Sequence, residues 1–393
     1  MRRLSTLLGL PQNRFASIHV VGTNGKSSVA RMTAALLEAH GVSAGACVSP
    51  HAARWSERVL VHGDEVGAAE FADAVERAAE AAAVVNRTLE DGEAVTQFEL
   101  ATAAAFVALA TAGVQAAAIE AGLGGRLDAT NTIPSRVTVL TSVGLDHTRW
   151  LGGTEEEIAA EKLAVLRDHS ALVLGRVEPA VRALAERAAR RRGARLIVAP
   201  EDLGPAVRLR AAGRFQRRNF ALACAASEAL LGELDPERVA SVAARIEIPG
   251  RFERIAGDPP VYLDAAHNPQ GAAALAEALP EVAGGRPVVA CLAILRDKDA
   301  VATIAALAPA LERVVCSELP PAALEARGMP GTSSHPAADL VAACAAAGLE
   351  AEAEPELAAA ARRGSELAAS AAGILLIAGS HYALAPARQA LGR

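Results

Sequence analysis

Residues 19–41 read HVVGTNGKSSVARMTAALLEAHG, and the fold turns on how this stretch is read. A β-branched run ends at Val21, a glycine-bearing loop follows, and strong helix formers begin near Lys26. In that order of strand, loop and helix, the loop N–H groups and the helix N-terminus converge on phosphate oxygens, and Lys26 adds a point charge. The full phosphate-loop pattern GxxxxGK(S/T) is not met, because Val20 occupies its first glycine position and only GTNGKS remains. Taken alone, such a fragment serves an ordinary turn as well as a nucleotide site, so the surrounding chain must decide.

Outward from the loop, short apolar runs (SIHVVG, AGACVSP, VQAAAIE, RVTVLTSVG, ALVLG, ARLIVAP) alternate with alanine-rich helical stretches. This is the pattern of an α/β fold with a mainly parallel sheet, here of the P-loop type. Two helices are expected between Arg217 and Ile246; then IEIPGRFERIAGDPP, with its prolines and glycines, interrupts the rhythm. Beyond it VYLDAAHNP, RPVVACLAIL, ERVVCSEL and GILLIAGS predict four strands of a smaller, Rossmann-like α/β domain. The expected division is a first domain at 1–248, a linker at 249–259 and a second domain at 260–393.

Composition narrows the function classes. A chain of 393 residues exceeds what one core usually organises, and 52% hydrophobic residues is ample for burial. The two longest stretches without Asp, Glu, Lys or Arg, Leu100–Ile119 and Leu367–Ala387, are broken by Gln115 and by Ser370, Ser380 and His381, and read as buried helix and strand rather than membrane spans. MRRLSTLLGLPQNRF lacks a small-residue cleavage site after its short apolar run, so the cytoplasm is the expected compartment. Five cysteines, widely scattered and never in a CxxC pair, argue for buried free thiols rather than disulfides or zinc. A net charge of −6 and few aromatic residues offer neither a basic field nor stacking platforms for nucleic acid, and the basic run Arg190–Arg192 suits a solvated helix end.

Ligands of open α/β sheets bind beyond the carboxyl ends of the strands, and polar groups cluster at such ends here. ACVSPH leads to Ser49, the apolar run before AGLGGRLDATN ends at Glu120, and TVLTSVGLDH ends at Asp146 and His147. A hydroxyl, a carboxylate and an imidazole beside a phosphate loop suit a magnesium ion or a held water. Each also has a plain alternative: Ser49 capping a turn, Glu120 paired with Arg126, His147 bonded locally. Jointly they favour a site.

Nine ordered stretches then carry a resemblance along most of the chain: GTNGKSS, SPHAARWSERV, FELATAAAF, EAGLGGRLDATN, LDHTRWLGGTEEEIAAEK, FQRRN, PGRFE, LDAAHNP and GSHY. The sequence resembles the folylpolyglutamate synthase/dihydrofolate synthase family of the Mur ligase superfamily, ATP-dependent enzymes that form amides. The resemblance implies an acyl-phosphate mechanism, two Mg2+ ions, ATP held between two domains, and dihydropteroate or a reduced folate with L-glutamate as substrates of a monomeric enzyme. Position by position, it assigns Gly22, Thr23, Asn24, Gly25, Lys26, Ser27 and Ser28 to the phosphate loop and Asn219, Arg251, Asp264 and His267 to the nucleotide. Ser49, Glu120 and His147 match metal ligands. Lys162 matches a lysine that the family carbamylates, turning a cation into an oxygen ligand for the second ion. Thr96, Phe98, Leu127, Asp128 and Ala129 match substrate contacts, and Lys26, Lys162 and His147 are the expected catalytic groups.

The plain alternative for Lys162, a surface lysine paired one helical turn away, is weakened because Ile158, Ala159, Val165 and Leu166 occupy those positions. His267 and Asn268 suit either a site or a helix start before Pro269. Ser27 replaces the glycine that usually follows the loop lysine, which leaves two candidate hydroxyls, Ser27 and Ser28. Leu163–Ala164 and Ala265 likewise stand where relatives carry Ala-Gly and Gly. The chain begins shortly before the loop strand, and a helix usual in relatives is expected to be missing there. Two rival readings remain: an amide ligase for a cell-wall nucleotide precursor, against which GLGGRLDATN and SPHAARWSER speak, and a nucleotide-binding regulator, against which Lys26, Glu120, His147 and Lys162 speak.

Overall fold

The computed structural model describes residues 1–51, 54–255, 257–325 and 332–392. Residues 52–53 of the SPHAARWSERV stretch and 256 of the expected linker lie outside them. The chain forms two compact units, one of residues 1–209 and 217–246, the other of 210–216 and 247–393.

The first unit is built on an eight-stranded sheet in the spatial order Asp64–Glu65, Val59–Val61, Ala44–Cys47, Ala116–Glu120, Ala16–Val21, Val137–Leu140, Ala171–Leu174, Arg195–Val198. All neighbours are parallel except the first three, which form an antiparallel edge. Central strands such as Ala116–Glu120 are buried throughout, as expected of a parallel sheet covered on both faces. The two-residue edge strand Asp64–Glu65 is short and acidic, which discourages further pairing. Helix Gln97–Thr111 is apolar all round and buries Phe106 and Leu109 completely, each contributing on the order of 2 kcal/mol. A six-residue helix, Arg2–Leu7, precedes the first strand.

The strand order places a topological switch at Ala16–Val21. From this strand the chain leaves toward Ala44–Cys47 on one side, while Val137–Leu140, on its other side, leads away to Ala171–Leu174. The crevice at the carboxyl ends of these two strands is where such sheets bind ligands. The loop Gly22–Gly25 occupies one lip of it and Thr141–His147 the other.

The second unit holds six strands in the order Glu350–Ala353, Arg313–Cys316, Val288–Leu292, Ile374–Ala378, Val261–Asp264, Arg251–Ile255, parallel except for the last. Two departures from the sequence reading concern its margins. Arg251–Ile255, within the stretch expected to be a linker, and Glu350–Ala353 are edge strands; both are polar and only partly buried, so neither has a continuous apolar run to announce it. Residues 210–216, expected in the first domain, pack with the second unit, where the Phe215 ring lies 6.2 Å from Phe252, itself 5.3 Å from Tyr262. All five cysteines are buried and free, and Arg190–Arg192 end helix Pro179–Arg192 ahead of Gly193. Among the described residues no helix is long and apolar enough to cross a membrane.

Candidate active site

The strand Ala16–Val21 ends in the loop Gly22–Gly25, and helix Lys26–Ala39 starts at once. The loop is pinned to the neighbouring strand end: Thr23 N donates to Ser142 O at 2.8 Å, Asn24 N to Ser142 Oγ at 3.0 Å, and Thr141 Oγ1 to Asn24 O at 2.6 Å. Thr23 Oγ1 and Gly144 exchange hydrogen bonds as well. Gly25 has φ 86°, and a Cβ there would lie 2.6 Å from Asn219 Oδ1, so only glycine allows Asn219 to pack on the loop. Lys26 Nζ folds back onto Gly22 O at 3.1 Å and Thr23 O at 3.0 Å, which holds its charge at the loop mouth.

The two candidate hydroxyls separate. Ser27 Oγ donates to Glu120 Oε1 at 3.0 Å and is 3.1 Å from Ser49 O, whereas Ser28 is buried in the helix. Glu120 also accepts the Ser49 N–H through Oε2 at 2.8 Å. Loop helix, strand end and SPH turn therefore meet on one carboxylate, while Arg126 pairs with Glu161 at 2.8 Å. Beside Ser49, His51 Nδ1 accepts from Arg58 Nε at 2.9 Å, and the Arg58 guanidinium lies 4.4 Å from the Trp55 ring centroid. Sequence reasoning passed over this trio and over Thr141 and Ser142, whose side-chain roles depend on neighbours far along the chain.

Helix Glu155–Leu163 starts at a Thr154–Glu157 capping box and delivers Lys162 in its last turn. The lysine is buried, not on the surface, and donates to Gly22 O at 3.0 Å, the carbonyl that Lys26 also reaches. Burial, reinforced by the charge of Lys26, lowers its amine to about 7. Asp146 and Asp128 act on it in the opposite sense. His147 sits at φ 51° with its N–H on Asp146 Oδ1 at 2.9 Å and its ring partly exposed.

The expected substrate residues gather on neighbouring segments. Thr96 caps helix Gln97–Thr111 through a capping box with Glu99, and a Cβ on Gly122 would lie 2.3 Å from the Phe98 ring, so this ring lies against the GLGG turn. Leu127 is 92% exposed, while Ala129 is buried. Asp128 accepts from Leu123 N through Oδ2 and from Thr130 N and Oγ1 through Oδ1.

In the second unit Asp264 is buried at a strand end, where desolvation raises its carboxyl above the usual range and the backbone N–H of Ala266, at 2.7 Å, opposes the rise. His267 Nδ1 lies 2.9 Å from Ala265 O, and Asn268 caps helix Pro269–Ala283 through Gly271 N at 2.8 Å. Arg251, on the neighbouring edge strand, has its carbonyl held by Gln216 Nε2 at 3.2 Å.

A fold of this topology with lysine, hydroxyl and carboxylate around a phosphate loop defines a nucleotide-dependent ligase of the Mur type. Two family models match accordingly, the Mur ligase middle domain over residues 20–202 and the Mur ligase glutamate ligase domain over 250–381. The chain is 34% identical over 350 residues to the dihydrofolate synthase/folylpolyglutamate synthase of Mycobacterium tuberculosis, covering 79% of this chain and 72% of that relative. The crystal structure of Mycobacterium tuberculosis folylpolyglutamate synthase complexed with ADP and AMPPCP superimposes with a TM-score of 0.91 at 31% identity, over 100% of this chain and 94% of that one. Escherichia coli FolC in complex with DHPP and ADP gives 0.81 at 25% identity, over 100% and 93%. The chain belongs to the dihydrofolate synthase/folylpolyglutamate synthase family, and it is an ATP-dependent, amide-forming ligase.

Proposed function

We propose that this chain ligates L-glutamate to both dihydropteroate and reduced folates through an acyl phosphate, as a monomer in the cytoplasm. The observation that carries the reading is the meeting of Lys26, Ser27 and Glu120 beyond two adjacent parallel strands, next to the Phe98–Gly122 contact. The ADP complexes of the Mycobacterium tuberculosis and Escherichia coli relatives, and the DHPP bound in the latter, support it. We assign ATP binding to the first unit, through residues 22–28 and Asn219, and the glutamate-ligase role to the second, where Arg251, Asp264 and His267 are the proposed nucleotide contacts.

In this scheme a carboxylate oxygen of the pterin-linked substrate attacks the γ-phosphorus of ATP, forming the acyl phosphate and releasing ADP. The glutamate amine then attacks the carbonyl carbon, loses a proton and expels inorganic phosphate. Lys26 offsets charge on the moving phosphoryl group, the type of placement that dominates phosphoryl-transfer catalysis. Ser27, Ser49 and Glu120 are hard oxygen donors already gathered at one point, a set that fits magnesium. Bound there, the ion would supply Lewis-acid charge to phosphate oxygens. His147 and a carbamate on Lys162 are the proposed holders of a second ion. An amine lowered to about 7 supports the carbamate, because the neutral form is the one that attacks carbon dioxide.

Incubation with ATP, Mg2+ and labelled glutamate, with dihydropteroate or tetrahydrofolate supplied separately, tests the proposal. Label entering both is the expected result. Label entering tetrahydrofolate alone would restrict the enzyme to folylpolyglutamate synthesis, and label entering neither would overturn the reading.

A further inference from the structure

His19 interrupts the apolar run SIHVV three residues before the phosphate loop, and its side chain lies in the core of the sheet, fully buried. It stands in register with Ile119 on one side and Thr138 on the other. Its Nε2 is 2.8 Å from Thr130 Oγ1, across 111 residues of sequence. Thr130 Oγ1 in turn donates its one proton to Asp128 Oδ1 at 2.5 Å. A hydroxyl that has given its proton away can only accept, so the imidazole must be the Nε2–H tautomer and donate. The direction of the chain is thereby settled: His19 Nε2–H to Thr130 O–H to Asp128 carboxylate. The same carboxylate closes the loop by accepting Leu123 N at 2.8 Å and Thr130 N at 2.9 Å.

This arrangement is costly. His19 Nδ1 has no hydrogen-bond partner among the described residues, and burying a bare polar nitrogen costs about 1–3 kcal/mol. Burial also lowers the imidazole to about 3, so it stays neutral and cannot pair as a cation. A valine would fill the strand position without that penalty. The polar function of His19 is therefore spent on Thr130, and through it on the loop whose tip is the exposed Leu127.

We infer that His19 and Thr130 are positioning residues that tie the substrate loop, residues 123–130, to the strand that carries the phosphate loop. The inference rests on the proposed substrate reading of Leu127 and Asp128. One rigid strand then references both reactants, the phosphate at its carboxyl end and the pterin-linked molecule through the loop bonded to its core face. Attack of a carboxylate on phosphorus needs the two held in line at contact distance, so a loop free to drift loses substrate alignment before it loses nucleotide binding.

The test compares Thr130→Val, which keeps the shape and removes the hydroxyl, with Thr130→Ser, which keeps the hydroxyl. Amide hydrogen exchange at Leu123 is read in the free protein, and KM values for ATP and for the pterin-linked substrate are read in turnover. Thr130→Val is expected to speed Leu123 exchange and to raise the KM of the pterin-linked substrate, each about tenfold, with the KM of ATP changed less than about twofold. Thr130→Ser should return both toward the parent. If Thr130→Val fails to fold, His19→Leu and His19→Gln repeat the comparison from the other end, since the glutamine amide can donate where Nε2–H did. Unchanged Leu123 exchange, equal rises in both KM values, or a serine variant no better than valine would overturn the inference. A parent without turnover on either pterin substrate refutes the substrate reading instead, and the exchange measurement then decides the tie alone.

Discussion

Two strand ends carry candidate residues, and they are built in opposite ways. Around Gly22–Ser28 the polar contacts span the chain: Ser27 to Glu120, Thr141 to Asn24 and Lys162 to Gly22 join residues 93 to 140 positions apart. Around Asp264–Asn268 short-range contacts are prominent, Asp264 to Ala266, His267 to Ala265 and Asn268 to Gly271, beside backbone bonds to the neighbouring strand segments at Gly250 and Gly379. The first region is a convergence of distant segments, and the second is a strand-to-helix turn braced by the strands of its own unit. Apart from the proposed nucleotide contacts of Asp264 and His267, substitution should therefore impair chemistry most at the first and helix or strand-end stability at the second.

The largest effect is expected at Lys26. Lys26→Ala removes a charge held at the loop mouth and should lower ATP-dependent turnover by about 10³-fold or more. Its thermal midpoint should stay close to the parent, because the side chain is only partly buried and the bonds it gives to the Gly22 and Thr23 carbonyls are of ordinary strength. Comparable turnover in the variant would erase the contrast between the two regions. Lys162→Ala should follow, with turnover down by about 10²-fold and partly restored by formate or acetate in the buffer if a carbamate is the working form. Glu120→Gln keeps the shape and drops the charge; its turnover should recover at Mg2+ concentrations about tenfold above those the parent needs. An unaltered Mg2+ titration would show that Glu120 serves the SPH turn alone.

At the second region the effects should be smaller and of another kind. Asn268→Ala removes a cap and should cost about 1 kcal/mol in chemical denaturation while leaving turnover within a few-fold. Asp264 sharpens the comparison through pH. Its carboxyl is raised by burial, so the folded state holds the proton to higher pH than the unfolded chain. Stability should consequently fall as pH rises through the window between the ordinary aspartate value and the raised one. Asp264→Asn should flatten that slope; an unchanged slope would mean that the backbone donors compensate the desolvation.

Much of this was legible because it is local. A β-branched run, a glycine turn and a helix former in succession specify a strand, loop and helix, and helix Lys26–Ala39 begins where the sequence reading placed it, near Lys26. The alternation of apolar runs likewise revealed the buried parallel strands, whose two covered faces demand continuous hydrophobicity. Edge strands Arg251–Ile255 and Glu350–Ala353 were not legible, since one solvated side leaves them polar. Nor was the membership of residues 210–216, which depends on Phe215 meeting Phe252.

By itself, then, the amino-acid sequence determined the fold class, the strand–loop–helix around Gly22–Gly25 and the family motifs. Tertiary structure alone decided that Ser27 rather than Ser28 meets Glu120, that Lys162 is buried with a lowered amine, that Leu127 is exposed, and that His19 reaches Asp128 through Thr130. The physical reason is the range of the forces involved. Backbone propensity and hydrophobic periodicity act over a few residues and are written in order along the chain, whereas desolvation and side-chain hydrogen bonding depend on which distant segments the sheet brings together.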